Sequence, residues 1–306
     1  MLNKLRGGFM LLIAALIWGT AFVAQSKGMD YVEPFTYNAI RTLLGGVVLI
    51  PVIYIFGRKN ANANTENNYN STRISLIGGM ICGLVLFAAS SFQQFGISMT
   101  SAGKAGFITA LYVVIVPIIG IVIGRRANIL KWICVFIAVT GFYFLSIKEG
   151  FKLSVGDLLV LICAVFYSVH IIVIDHFNSK GADPLKMSCV QFFTAGSIMI
   201  LCMFIFEFPV LENIFAAKYT ILYTGIMSCG VAYTLQIIGQ KYTEPVTATL
   251  IMSLESVFAA IAGWLILSEH MSRKEYTGCA LVFAAVLLSQ LELSSKKKNI
   301  DEKGDT

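Results

Sequence analysis

The sequence predicts an all-α integral membrane protein whose ten transmembrane helices form two inverted five-helix repeats. Three observations predict it. Of 306 residues, 57% are hydrophobic and only 13% charged, whereas soluble domains carry about 25% charged residues. Ten apolar runs follow one another with mostly short connections, and a bilayer crossing takes about 20 such residues as a helix. The first five runs also resemble the last five. A transmembrane barrel would instead show short segments of alternating polarity.

The runs, in order, are 8–26, 34–56, 74–97, 104–123, 130–147, 156–175, 185–207, 219–239, 246–267 and 276–292. Run one has a basic start and an apolar stretch, as a signal peptide would. It is nevertheless the partner of run six in the repeat, so it is expected to stay in place. Runs two and three are separated by Gly57–Arg73, which is Asn-rich and low in complexity. It reads as a flexible linker. Run four contains Pro117, which removes one backbone hydrogen bond and predicts a kink there. The organisation is therefore 8–147 for the first repeat, 156–292 for the second, and a cytoplasmic tail over 293–306.

Lys and Arg set the orientation. With the N-terminus inside, about 15 fall in inside segments and about 7 outside, with Arg41 within a run. Both termini are then cytoplasmic. The net charge of +6 follows from this loop bias and calls for no nucleic acid. The seven cysteines all lie inside apolar runs, without a CxxC or zinc spacing. They read as small packing residues, with no metal or cofactor implied. The Asn70-Ser71-Thr72 sequon falls on the cytoplasmic side.

The repeat rests on matched positions. LIAALIWGTAF (12–22) aligns with LICAVFYSVHI (161–171), and Pro34, Arg41 and Gly46 align with Pro184, Gln191 and Gly196. Later, Gln93, Gly96, Thr100, Ala105, Leu111 and Gly120 align with Gln236, Gly239, Thr243, Ala248, Leu254 and Gly263, a shift of 143. A duplicated unit of five helices must enter the membrane in opposite orientation the second time. That is a known transporter architecture, with its site near the midplane between the repeats.

Polar residues inside the runs are the site candidates, because they are costly at bilayer depth. A carboxylate there costs about 2.5–3.5 kcal/mol on insertion scales. Glu255 sits near the middle of run nine and aligns with Tyr112 in run four. Ser253 lies on an adjacent face of run nine that also fits helix packing. Arg41 stays charged and needs a carboxylate, carbonyls, water or an anionic ligand; Glu255 is one candidate partner. Gln93 with Gln236, and Arg41 with Gln191, form tiers related by the repeat. Trp18 either walls a cavity or fills the core. His170 reads more as a hydrogen-bonded packing residue than as a proton relay.

WGTAF (18–22), Pro34, Arg41, SAGKAGFITALYVVIVP (101–117) and SLESVFAAIAGWLILSE (253–269) together resemble the drug/metabolite transporter superfamily, EamA-like branch. The resemblance covers Leu11 to Leu291 and implies one EamA-like domain per repeat, a central cavity and alternating access. It also implies a permease of the bacterial cytoplasmic membrane. Two departures stand out. Ser256 occupies the place of the proline that commonly follows the run-nine Glu. The first repeat reads GRRAN (124–128) where the second keeps Glu269.

The expected function is a secondary-type carrier that exports or exchanges a small polar metabolite such as an amino acid. Its cavity candidates are Trp18, Arg41, Gln93, Tyr112, His170, Gln191, Gln236, Ser253 and Glu255. No Walker motif or phosphate loop is present, so ATP is not the direct drive. A proton is one possible coupling ion, with Glu255 as its carrier. An enzyme is disfavoured: there is no HExxH, GxSxG or paired Asp, and His170, His176 and His270 lie far apart. The alternatives are a channel or facilitator for a small solute, or a membrane protein that does not transport.

Overall fold

The computed structural model describes residues 2–59, 65–125, 128–146, 154–266 and 272–304. Every regular element among these residues is helical. Eight helical stretches are long and apolar enough to cross a membrane: Leu5–Gly28, Pro34–Ile55, Tyr69–Met99, Ala102–Val122, Val155–Ser179, Pro184–Phe206, Lys218–Gln240 and Pro245–Ile266. A shorter apolar helix spans Ile129–Phe144. The tenth expected span falls within a helix from Arg273 to Gly304, which packs along the Ile129–Ser146 helix.

Polarity is arranged inside out relative to a soluble protein. Arg41, Gln93, His170, Gln191, Gln236 and Glu255 are buried. Leu84, Phe136, Leu201, Phe204, Leu265 and Phe283 are exposed. Soluble monomers do not expose apolar surface on this scale; lipid is the solvent that this exterior suits.

The elements are α1 (Leu2–Gly28), α2 (Pro34–Lys59), α3 (Thr65–Met99), α4 (Ala102–Thr109), α5 (Tyr112–Val122), α6 (Ile129–Ser146), α7 (Val155–Ser179) and α8 (Pro184–Phe206). They continue as α9 (Leu211–Ala216), α10 (Lys218–Tyr223), a π-helical segment (Thr224–Tyr233), α11 (Thr234–Gln240), α12 (Pro245–Met252), α13 (Glu255–Ile266) and α14 (Arg273–Gly304). α3 packs against α7 and α8, α2 against α8 and the π segment, and α1 against α13 and α11.

Small residues permit the closest of these contacts. At Gly19 on α1, a Cβ would lie 2.5 Å from Phe258 Cβ, 2.7 Å from the Glu255 carbonyl oxygen and 2.9 Å from the Ala259 nitrogen. Only glycine lets the two backbones meet there.

The sequence reading needs correction at three places. First, the Asn-rich stretch is not all linker: α3 starts at Thr65, and only 60–64 of that segment lie outside the described residues. The helix is held by bonds to the α7–α8 turn. Ser71 donates to the Gly181 carbonyl (2.9 Å), Lys186 Nζ donates to Thr72 (2.8 Å), and the Asp183 N–H donates to Ser75 Oγ (2.7 Å). Second, the fourth span breaks at Ala110–Leu111, upstream of Pro117, and α5 runs on through the proline. Third, the ninth span breaks at Ser253–Leu254 without the family's proline. Glu269 lies outside the described residues, as do Arg126 and Ala127 of GRRAN.

The two breaks occupy positions aligned by the 143-residue shift and share one geometry. In the first, Leu111 N–H donates to Ile108 O and Val113 N–H to Ala110 O. In the second, Leu254 N–H donates to Ile251 O and Ser256 N–H to Ser253 O. These i→i−3 bonds tighten the chain for one turn. Ser253 Oγ also bonds back to Leu250 O at 2.8 Å, a contact that competes with regular helix bonding. Ser256, in the place of the missing proline, donates to Gly106 O at 2.9 Å and ties α13 to α4.

At one end of the bundle, the Glu207 carboxylate closes the start of α2. The Phe35 and Thr36 N–H groups each donate to it at 2.7 Å, and so does the Thr36 hydroxyl. Free amides at a helix N-terminus favour an anion there. Glu207→Ala is expected to lower stability by about 2–3 kcal/mol through these lost charge-assisted bonds. Thermal unfolding in detergent measures it.

Candidate functional site

A cavity of about 40 Å³ lies at the centre of the bundle. That is room for a few waters, given that one needs about 10–15 Å³. α1 contributes Trp18, Phe22 and Gln25; α2 contributes Arg41. α3 brings Gln93, α4 Thr109, α5 Tyr112, and α7 Tyr167 and Ile171. Ser228 and Tyr233 come from the π segment, Gln236 from α11, Met252 from α12 and Glu255 from α13.

Glu255 and Tyr112 owe their position to the two helix breaks. Each is the first residue of the second half-helix, α13 and α5 respectively. The break swings both side chains to the same cavity from different spans. Ser228 and Tyr233 lie in ten residues of π-helix, a conformation that is rare and concentrates at functional sites.

Arg41 is 2% exposed. Its Nε donates to Asn38 Oδ1 at 2.8 Å, and its guanidinium carbon lies 5.8 Å from the Tyr37 ring centre. Asn38 is itself fixed, its Nδ2 donating to Ser90 O at 2.9 Å. Among the described residues, no carboxylate lies within ion-pair distance of Arg41. Arg41 and Glu255 line one cavity, yet they do not neutralise each other.

Other polar atoms on the wall are also without partners. Trp18 Nε1, Gln25 Oε1 and Gln236 Oε1 are buried with no hydrogen bond, and Tyr112 Oη and Glu255 Oε1 face each other without a bond of ordinary geometry. Buried polar groups are usually satisfied in folded proteins; five such atoms gather on this wall, and others lie elsewhere in the bundle, at Gln94, Asn178 and Gln240 among them. Part of the wall is satisfied and rigid: Tyr167 donates to Gln93 Oε1 at 3.2 Å and bonds Tyr233 at 2.8 Å. Gln93 Nε2 donates to Thr109 at 3.3 Å, and Trp18 packs edge-on against Tyr233 at 4.9 Å.

Six of the nine residues singled out by sequence line this cavity: Trp18, Arg41, Gln93, Tyr112, Gln236 and Glu255. His170, Gln191 and Ser253 do not. His170 Nε2 bonds Gln191 Oε1 at 3.0 Å, and the His170 ring packs edge-on against Tyr233 at 6.1 Å. Ser253 is fully buried in the break of the ninth span. Sequence reasoning missed Tyr167 and Tyr233, because a tyrosine costs little in an apolar run and so carries no alarm. Gln25 was not among the candidates either, although it lines the cavity.

Ion pairs join helices at both ends of the bundle. At the end where α4 and α7 begin, Lys104 Nζ meets Asp157 Oδ2 at 2.5 Å, with Thr100 donating to the same carboxylate at 2.9 Å. At the opposite end, Arg125 pairs with Asp175 at 2.5 Å and Lys131 pairs with Glu244. Beside the latter pair lies a second cavity of about 270 Å³, walled by Val116, Pro117, Gly120, Arg125, Lys131 and Glu244 among others.

Comparison with known proteins places this geometry in a family. The EamA-like transporter family profile matches residues 5–147 and again 154–291. An uncharacterized transporter of Archaeoglobus fulgidus is 30% identical over 292 residues, covering 95% of this chain and 88% of that protein. The uncharacterized inner membrane transporter YedA of Escherichia coli K12 is 22% identical, over 90% of this chain and 88% of its own. A chloroplastic WAT1-related protein of Arabidopsis thaliana is 23% identical, over 91% of this chain and 68% of its own. One crystal structure superposes with a TM-score of 0.74 at 18% identity, covering 93% of this chain and 96% of that one; it shares the fold.

Proposed function

Because the chain belongs to the EamA-like transporter family, we propose that it is a secondary-type carrier working by alternating access. Family membership makes it a multi-pass membrane transport protein and not an enzyme. The finer reading is export or exchange of a small polar metabolite such as an amino acid. One observation carries it: Arg41 and Glu255 share a buried cavity without pairing. Opposite charges left free in one site suit a zwitterion, whose two ends they complement.

A carrier accounts for the cavity's size better than a channel does. About 40 Å³ is far below the roughly 300–1,000 Å³ of ligand pockets, and ion pairs join helices at both ends. Solute admission then requires opening at one end at a time. The ten-span inverted repeat is supported by two features. The family profile matches each half once, and the two broken spans interrupt at aligned positions. On the charge distribution, both termini lie in the cytoplasm of a bacterial cell, which terminal reporter fusions would test.

The decisive experiment is counterflow in proteoliposomes with a panel of labelled amino acids. A carrier gives saturable uptake stimulated by unlabelled solute inside. Ohmic conductance in planar bilayers without saturation would establish a channel instead. Glu255 is also the proposed carrier of a coupled proton. Glu255→Gln is expected to lose pH-driven net uptake and, because the carboxylate also complements the solute's cationic end, to weaken exchange. Unaltered pH dependence in that variant removes proton coupling through Glu255.

A further inference from the structure

We infer that Gln25, Gln236 and Glu255 form a subsite for an unsubstituted ammonium group, so that the solute carries a primary amine. This rests on the carrier reading above and adds a chemical requirement to it. The three residues come from α1, α11 and α13 and line the same small cavity. Each is 3–4% exposed. Gln25 Oε1 and Gln236 Oε1 accept no hydrogen bond, and Glu255 Oε1 accepts none of ordinary geometry, with the Tyr112 hydroxyl beside its side chain.

Gln25 shows why its oxygen faces the cavity unoccupied. Its amide nitrogen is used locally, donating to Ala21 O at 3.3 Å. That bond uses one of the two amide N–H groups and anchors the side chain, while Oε1 accepts no hydrogen bond. Glu255 as a carboxylate is acceptor-only. The subsite thus offers three acceptors, and an –NH3⁺ group offers three donors and no acceptor. A quaternary ammonium offers no donor at all, a hydroxyl one, and a water two.

The unpaired donors of the same cavity complete the picture. Trp18 Nε1 has no partner, and Arg41 has no carboxylate among the described residues. They leave a place for an acceptor group elsewhere on the same solute. The acceptor subsite requires only that the solute's cationic end be an N–H donor in three directions.

The test uses the full-length protein in detergent and thermal shift, since a ligand of the folded state raises apparent stability. The probes are the twenty L-amino acids, ethanolamine and putrescine, each paired with its N-permethylated, quaternary counterpart and its deaminated counterpart. At least one primary amine should raise the melting temperature, with its quaternary and deaminated counterparts at least tenfold weaker. Gln25→Met and Gln236→Met should each weaken that amine at least tenfold. Equal binding of a quaternary counterpart, or a shift produced by sodium but not by choline chloride, overturns the subsite. So does the absence of a shift with every primary amine. Should either variant fail to fold, the paired-ligand comparison on the unaltered protein still decides. Saturable counterflow of an amine-free solute would sink the ammonium subsite while leaving the carrier intact. Absence of counterflow for every solute would remove the carrier reading itself.

Discussion

Arg41→Gln is expected to reduce transport at least 100-fold while leaving the fold in place. The guanidinium sits in the central cavity with Asn38 as its side-chain hydrogen-bond partner and no carboxylate among the described residues. Its remaining N–H groups are therefore available to an anionic end of the solute. Losing a buried charge-assisted contact costs about 2–5 kcal/mol, and about 2.8 kcal/mol is 100-fold. Glutamine keeps a donor for Asn38 Oδ1, so the local bond survives. A charge buried without a counter-charge is a burden on the empty protein, as replacements of buried ions by neutral residues show. The melting temperature of the solute-free variant should accordingly stay level or rise. Counterflow and thermal unfolding, measured on the same preparation, check the two halves of this prediction. A large loss of stability together with transport would mean that Arg41 is structural.

Gly19→Ala is the second large effect, and it acts through packing. A methyl group there meets Phe258 Cβ at 2.5 Å and two backbone atoms of α13 at 2.7 and 2.9 Å. Backbone cannot turn aside as a flexible side chain can, so α1 and α13 must separate. Overpacking of this kind costs about 1–3 kcal/mol. One of the displaced atoms is the carbonyl of Glu255, so the cavity loses its geometry along with its tightness. Transport should fall more than tenfold. Gly8→Ala is the control on the same helix: its nearest contact is Ile251 Cδ1 at 3.6 Å. There alanine should be neutral, or stabilising by up to about 1 kcal/mol from its better helix propensity. Equal behaviour of the two variants would rule out the close approach as the cause.

Much of this protein was written in its composition. Polar and charged groups are so costly in a bilayer that spans announce themselves, and so do the exceptions inside them. Arg41, Gln93, Gln236 and Glu255 stood out for that reason, and all four line the central cavity. His170 and Gln191 stood out equally and turned out to bond each other outside the cavity lining, each keeping one buried polar atom without a partner. Cost alone marks a residue as needing a partner; it does not say whether the partner is protein or solute.

Tertiary structure decided the rest. The breaks at Ala110–Leu111 and Ser253–Leu254 carry no proline or glycine. They consist of i→i−3 backbone bonds that any residue but proline can make, and the Ser253 side-chain bond that accompanies the second is too common in helices to announce a break. The same holds for the π segment, whose extra residue per turn carries Ser228 and Tyr233 to the cavity wall. Gln25 joins the cavity wall because α1 packs against α11 and α13. By itself the sequence determined that a membrane path exists and which residues are expensive within it, because that cost is a property of each side chain in lipid. Only the packed bundle decided that Arg41 and Glu255 stay apart in one cavity, because pairing depends on where helices distant in sequence are broken and how closely they approach.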